Sequence, residues 1–260
     1  MGSDWGRNEL LAYHITVTPI PPQEFFQQGA DPSLTCLDPA LINSPLDATN
    51  VSDDTYHFLG CIELATNAGQ ETAIDDFARE FLRIVGFEER GCVVHTHHVM
   101  PLSICGESGD TKKVAQTCVG LLDRRSTMLL ILQVDKTVFS TSDPEPHVIA
   151  EAIAAYQYNN LKRARMGLST LETMTVPCIT MRGTCPTFYL VPVTQELSDA
   201  VITGQWPKVE TKVLKCVTLV GCNRRLSEGM ETPEYRRVAF QRMIAFKALA
   251  KSQWKKFLVD

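Results

Sequence analysis

Several groups of side chains in this sequence have the types and spacing that chemistry requires. His95, His97 and His98 form an H-x-H-H cluster, and in an extended segment the period of two puts His95 and His97 on one face. Two imidazoles so placed can hold a transition metal, with Cys92 or Cys105 as the nearest further donor; hydrogen-bonded surface histidines are the simpler reading. Cys118 is a nucleophile if a histidine and an oxyanion hole face it, and otherwise a buried, inert thiol. Asp135 and Lys136 close an apolar run with a charged pair. Lys162, Arg163 and Arg165 either complement the end of a helix or contact a phosphate. Lys247, Lys251 and Lys255 recur at helical spacing, as a solvated face or a track for a nucleic-acid backbone. There is no P-loop, dinucleotide fingerprint, HExxH or GxSxG, so the common cofactor chemistries have no support.

The elements that must position these groups are legible from hydrophobic periodicity. From Thr72, Ile74, Phe77, Phe81, Leu82 and Val85 line one helix face, Asp75 and Asp76 suit its N-terminal dipole, and Gly86 stops it. A strand is expected over Cys92–Met100. Val114–Leu122 and Met128–Lys136 read as a hairpin about Arg125, which sets Cys118 opposite roughly Leu132 and Gln116 opposite roughly Val134. A helix over His147–Lys162 has proline in its first turn. Strands at Val176–Met181 and Thr187–Val193 follow, then a short helix Gln195–Ile202, a strand Thr211–Val217 and a long helix Pro233–Phe257. The first 56 residues carry six of the 14 prolines and read as an irregular arm. The expected organisation is therefore an arm over 1–56, an α/β core over 57–207 and a C-terminal strand and basic amphipathic helix over 208–260, packed on the core.

At 260 residues the chain is long enough for a full core. Its net charge of -5 argues against non-specific coating of nucleic acid. From Lys208 onward there are 12 Lys+Arg against 5 Asp+Glu, so this basic end either docks on the acidic body or faces a polyanion. Nine scattered cysteines without a CxxC pair read as reduced thiols of an intracellular protein, cytoplasmic or nuclear. No apolar run approaches the roughly 18 residues of a spanning helix, so no membrane association is expected.

The order helix, three strands, helix, strand from Thr72 to Val193 resembles the αβββαβ core of the PD-(D/E)XK nuclease superfamily. In detail it is similar to a group of fungal, mainly basidiomycete, proteins of unknown function that resemble that superfamily. The residues that carry the likeness are Ala73-Ile74-Asp75-Asp76-Phe77, Gln133-Val134-Asp135-Lys136, Asp143-Pro144-Glu145-Pro146 with Ile149-Ala150-Glu151-Ala152-Ile153-Ala154-Ala155, and Gly183-Thr184-Cys185-Pro186-Thr187-Phe188-Tyr189. The resemblance implies a restriction-endonuclease-like α/β fold with a mixed central sheet. It also implies Mg²⁺ held by an Asp on the second strand and an Asp or Glu on the third, with a Lys two residues later. Here Cys118 and Val134 stand where those acids belong, and Asp123 lies at the turn, far from Lys136. The remaining candidates are Glu80, Gln133, Asp135, Lys136 and Gln157, with Glu80 and Asp135 as metal ligands. The expectation is a nuclease-like domain, weakened or inactive, that acts by binding protein or nucleic acid. Two alternatives stand beside it: a Mg²⁺-dependent nuclease with a rearranged site, and a non-nucleolytic enzyme or small-molecule binder that reuses the cleft.

Overall fold

The structure, a computed structural model, describes residues 5–27, 31–66, 71–105, 113–125, 127–135, 143–220 and 229–258. It is an α/β fold built on a mixed seven-stranded sheet with helices on both faces. The N-terminal segment holds α1 (Arg7–Ala12), β1 (Ile15–Pro19), α2 (Pro22–Phe25) and α3 (Pro39–Asn43). Two helices follow, α4 (Asp53–Thr66) and α5 (Glu71–Ile84). The central part contains β2 (Cys92–Thr96), β3 (Val99–Pro101), β4 (Val114–Gln116), β5 (Val119–Asp123), β6 (Met128–Asp135) and α6 (Pro144–Arg165). The chain ends with β7 (Thr173–Arg182), β8 (Cys185–Thr194), α7 (Gln195–Thr203), β9 (Thr211–Val217) and α8 (Pro233–Trp254).

The sheet order is β1-β9-β8-β7-β6-β5-β2. β2, β5 and β6 form an antiparallel meander, and β7 joins β6 in parallel after the crossover through α6. With α5 in front, this is the helix, three-strand, helix, strand order expected from the sequence. The segment read as an irregular arm supplies an edge strand instead, because β1 pairs in parallel with β9 from Ile15↔Thr211 to Pro19↔Lys215. Proline at the end of an edge strand removes no ladder hydrogen bond that the sheet needs. The same segment buries Trp5, Phe25, Phe26, Leu41 and Ile42, so its apolar residues belong to the core.

Two local features depart from the sequence reading. The strand expected over Cys92–Met100 breaks at His97, whose φ is 54°, and its second half turns away as β3 to pair with β4. The hairpin between β5 and β6 has a register shift between Leu121 and Leu122. Leu122 pairs with Met128 as a turn about Arg125 requires, but beyond the shift Val119, not Cys118, faces Leu132. A bulge of this kind inserts one residue on one strand and moves every later pair by one.

The two sheet faces are assigned by register, because paired residues share a face. Ile131 pairs with Cys178, which pairs with Tyr189, and Glu151 of α6 acts on the Cys178 thiol, so Ile131 and Gln133 lie under α6. Leu132 pairs with Ile179 and that with Phe188, whose ring meets Phe246 of α8 at 4.8 Å, so Leu132 and Val134 lie on the other face. That face is closed by the rings of Phe58, Phe77, Phe81 and Phe240 from α4, α5 and α8.

α8 is fastened to the body by its cations. Lys247 donates to the Val85 carbonyl at 3.2 Å and pairs with Glu89 at 2.9 Å, Lys251 pairs with the same Glu89, and Arg242 meets Asp31 at 2.7 Å. The basic end is therefore docked on the acidic body, and these side chains are not arrayed along a free surface.

Candidate functional site

The hairpin end opposite its turn is where the sequence places the chemistry. Cys118 and Val134 are buried there, at 4% and 3% exposure. Thr117 beside them is fully buried, and among the described residues its Oγ1 has no hydrogen-bond partner. The chain crosses from β4 to β5 at this point, where His97 donates its backbone N–H to the Cys118 carbonyl and Thr117 donates its own to the His98 carbonyl.

α5 brings one carboxylate to this end. Asp75 is 3% exposed, and the Nε2 of His97 lies 3.9 Å from its Oδ2. The left-handed backbone at His97 aims this contact, since residues on either side of a φ of 54° no longer alternate as in a strand. The His97 side chain is half exposed, so it stands between the buried carboxylate and solvent. The sequence reading assigned Asp75 to the helix dipole. Its spacing to Ala78 and Leu82, both fully buried, is the inward stripe of α5 and is the signal that would have placed it.

Glu80 is five residues further along α5, about 7.5 Å on and roughly 140° around the helix from Asp75. Its carboxylate is held by Arg83 through contacts of 2.6 to 3.0 Å, and Arg83 also reaches Asp54 of α4 at 3.3 Å. Glu80 thus lies on the α4 flank of the helix. Gln157 accepts from the Ser103 N–H at 2.9 Å and donates to the Ser103 carbonyl at 3.2 Å. Two residues on, Asn159 accepts from the Met128 N–H at 2.9 Å, so this part of α6 lies over the turn end of the hairpin, and Gln157 staples a loop there. Gln133 pairs in register with Thr180 on the α6 face, and among the described residues its buried Oε1 has no hydrogen-bond partner. Asp135 is the last residue of β6, paired with Arg182, but its side chain and all of Lys136 lie outside the described residues.

The Mg²⁺ that the resemblance implies needs several hard oxygen donors converging on one point. At the hairpin end the described side chains are the Asp75 carboxylate with His97, the Cys118 thiol, the Thr117 hydroxyl and the Val134 isopropyl group. Among the described residues no three His, Cys, Asp or Glu side chains gather as a metal site. The described side chains by themselves do not make a Mg²⁺ site.

Two further groups were not anticipated. His98, not His97, partners His95: their rings are 5.4 Å apart and nearly perpendicular, and the His98 ring also meets Tyr158 at 5.4 Å. Lys162 lies 4.8 Å over Tyr158, and burial, then His95 and Lys162, lower the His98 pKa, which keeps its imidazole neutral near pH 7. Under α6, Glu151 is 4% exposed and its Oε2 has no hydrogen-bond partner among the described residues. Burial raises its pKa well above the ordinary carboxyl range. A cavity of about 40 Å³ lined by Arg125, Arg163, Leu171 and Phe257 lies at the turn end of the hairpin.

No helix among the described residues is long and apolar enough to cross a membrane. Comparison with protein-family models and with curated proteins finds no match, which leaves the geometry of the chain itself as the basis for its function.

Proposed function

We propose that this chain is a PD-(D/E)XK-like domain that has given up metal-dependent cleavage and acts by binding a protein partner. The observation that carries this reading is the hairpin end, where the two positions at which the resemblance expects metal-binding acids are occupied by the buried Cys118 and Val134. A site that splits a phosphodiester through Mg²⁺ has to neutralise charge on the phosphoryl oxygens, and a thiol and an isopropyl group in place of the two acids give the ion no hard oxygen ligand. The burial of Cys118 and Val134 also argues against a small apolar molecule filling the same place. A protein partner is favoured over nucleic acid because Lys247 and Lys251 of α8 are both engaged by Glu89 within the fold, and a phosphate track requires cations free to release counterions.

The test is a cleavage assay on plasmid and single-stranded DNA with Mg²⁺ or Mn²⁺, comparing the wild type with Lys136→Ala and Asp75→Asn. The expected result is no metal-dependent cleavage in any of the three. Duplex retention is expected to be weak and to vanish as salt rises toward about 0.2 M. Metal-dependent cleavage that Lys136→Ala abolishes would overturn the proposal in favour of a rearranged nuclease site.

A further inference from the structure

The seven-stranded sheet ends in β1 on one side and β2 on the other, and the two edges are finished differently. In β2, Gly91 accepts from the Arg124 N–H and His97 donates to the Cys118 carbonyl, so alternate residues face β5 and Val94 faces outward. The outward Val94 N–H is taken by the Glu88 carboxylate at 3.3 Å, which places a charge on that edge and blocks an incoming strand. β1 reads Ile15-Thr16-Val17-Thr18-Pro19, a β-branched run with no charged residue. Among the described residues no strand lies on its outer side.

The ladder with β9 fixes which main-chain groups of β1 are left over. Thr211 donates to the His14 carbonyl and Ile20 donates to the Lys215 carbonyl, both at 2.9 Å. With the parallel register, His14, Thr16, Thr18 and Ile20 therefore turn their amides toward β9, and Ile15, Val17 and Pro19 turn theirs away. Proline has no N–H, and the Tyr13 N–H already donates to the Glu9 carbonyl at 3.0 Å. The outward donors of the edge are thus the N–H groups of Ile15 and Val17, each beside its own residue's outward carbonyl.

We propose that β1 pairs antiparallel with β1 of a second copy of this chain, about a two-fold axis at Thr16, so that the two sheets join edge to edge. Ile15 of each copy then stands opposite Val17 of the other. Each such pair exchanges both of its N–H···O=C bonds, which engages every outward donor and carbonyl of Ile15 and Val17. A two-fold contact demands this kind of self-complementarity, because one patch must match itself. Thr16 meets Thr16 across the axis, a favourable cross-strand pair. His14 meets Thr18 of the second copy, and the exposed indole of Trp206, stacked on His14 at 4.9 Å, is carried to the joint. This edge lies across the sheet from the hairpin end, so the dimer and the protein binding proposed there stand or fall separately.

The test is sedimentation of the reduced full-length protein over a range of concentrations, with Val17→Pro beside the wild type. The expected result is a reversible monomer–dimer equilibrium. Proline is tolerated in an edge strand where its nitrogen faces outward, so Val17→Pro keeps the ladder to β9. It removes one donor from each copy, and the dimer is expected to weaken at least about tenfold. Val93→Thr, at an exposed position of the opposite edge, leaves the equilibrium unchanged. Hydrogen exchange on the wild type gives a readout that needs no variant. The Val17 amide is expected to gain protection as concentration rises, whereas the Thr18 amide, already bonded to β9, does not change. A wild-type chain that stays monomeric through the millimolar range, a dimer unaffected by Val17→Pro, one weakened by Val93→Thr, or a Val17 amide that gains no protection overturns the proposal.

Discussion

Replacing Arg236 with methionine is expected to lower the stability of the protein by about 3–5 kcal/mol, read as a shift in the urea midpoint at unchanged slope. Arg236 is fully buried in α8, where its guanidinium is spread over backbone carbonyls. It donates to Met230 at 2.8 Å, to Leu41 at 3.0 Å, to Ser44 at 2.8 Å and to Glu231 at 3.5 Å. Burial lowers its pKa to about 10, opposed by Glu231, so it stays charged at neutral pH. Methionine fills much of the volume but leaves these acceptors without a donor, at about 1–3 kcal/mol for each one that stays dry. Lysine keeps the charge but cannot present the planar fork, so Arg236→Lys is expected to lose more than half as much. Because two of the carbonyls belong to the α3 region, both variants should also show faster proteolysis before Asp53. Cleavage there at the wild-type rate would contradict the role of Arg236 as the clasp of the N-terminal segment.

Glu151→Gln is expected to act in the opposite direction. The folded-state pKa of Glu151 is raised by burial, so the unfolded chain loses this proton above the ordinary Glu range while the folded chain keeps it. Stability is therefore fully present below about pH 4.3 and declines by about 1.4 kcal/mol for each pH unit over which only the unfolded state is ionised. The glutamine variant has no proton to lose. Its stability should match the wild type near pH 4 within about 1 kcal/mol and exceed it at pH 7, by a margin that grows as pH rises. Denaturant titrations at pH 4, 5.5 and 7 test this, and parallel pH profiles for the two proteins would show that Glu151 ionises freely in the fold.

Local pattern determined much of what could be read from the sequence. The stripe of Ile74, Phe77, Phe81 and Leu82 announces α5 and the turn at Gly183 joins β7 to β8, whereas α6 begins at Pro144, three residues before the expected His147, capped by Asp143, whose side chain accepts from the Glu145 N–H at 3.1 Å. These signals lie within one or two helical turns of each other, where periodicity is informative. The pairing of β1 with β9 was not legible, because a half-exposed strand of five residues carries no mark of a distant partner. The break at His97 was hidden as well, since a positive φ at a residue other than glycine leaves no compositional trace. That break decides the site: it turns His97 toward Asp75 and leaves His98 to meet His95. The one-residue shift between Leu121 and Leu122 likewise displaced Cys118 from its expected neighbour. Which carboxylate of α5 points inward was within reach, through the spacing of Asp75 to Ala78 and Leu82.

The edge pairing of β1 has a consequence for how the chain is made. Ile15 finds Thr211 only after almost the whole sheet has been synthesised. At about 5–20 residues per second, the nascent strand waits roughly 10–40 seconds for its neighbour. During that interval Trp5, Phe25, Phe26, Leu41 and Ile42 are without their final packing, and Leu41 and Ser44 are without the Arg236 that clasps them. The segment that carries β1 is thus apolar and without its final partners until β9 emerges.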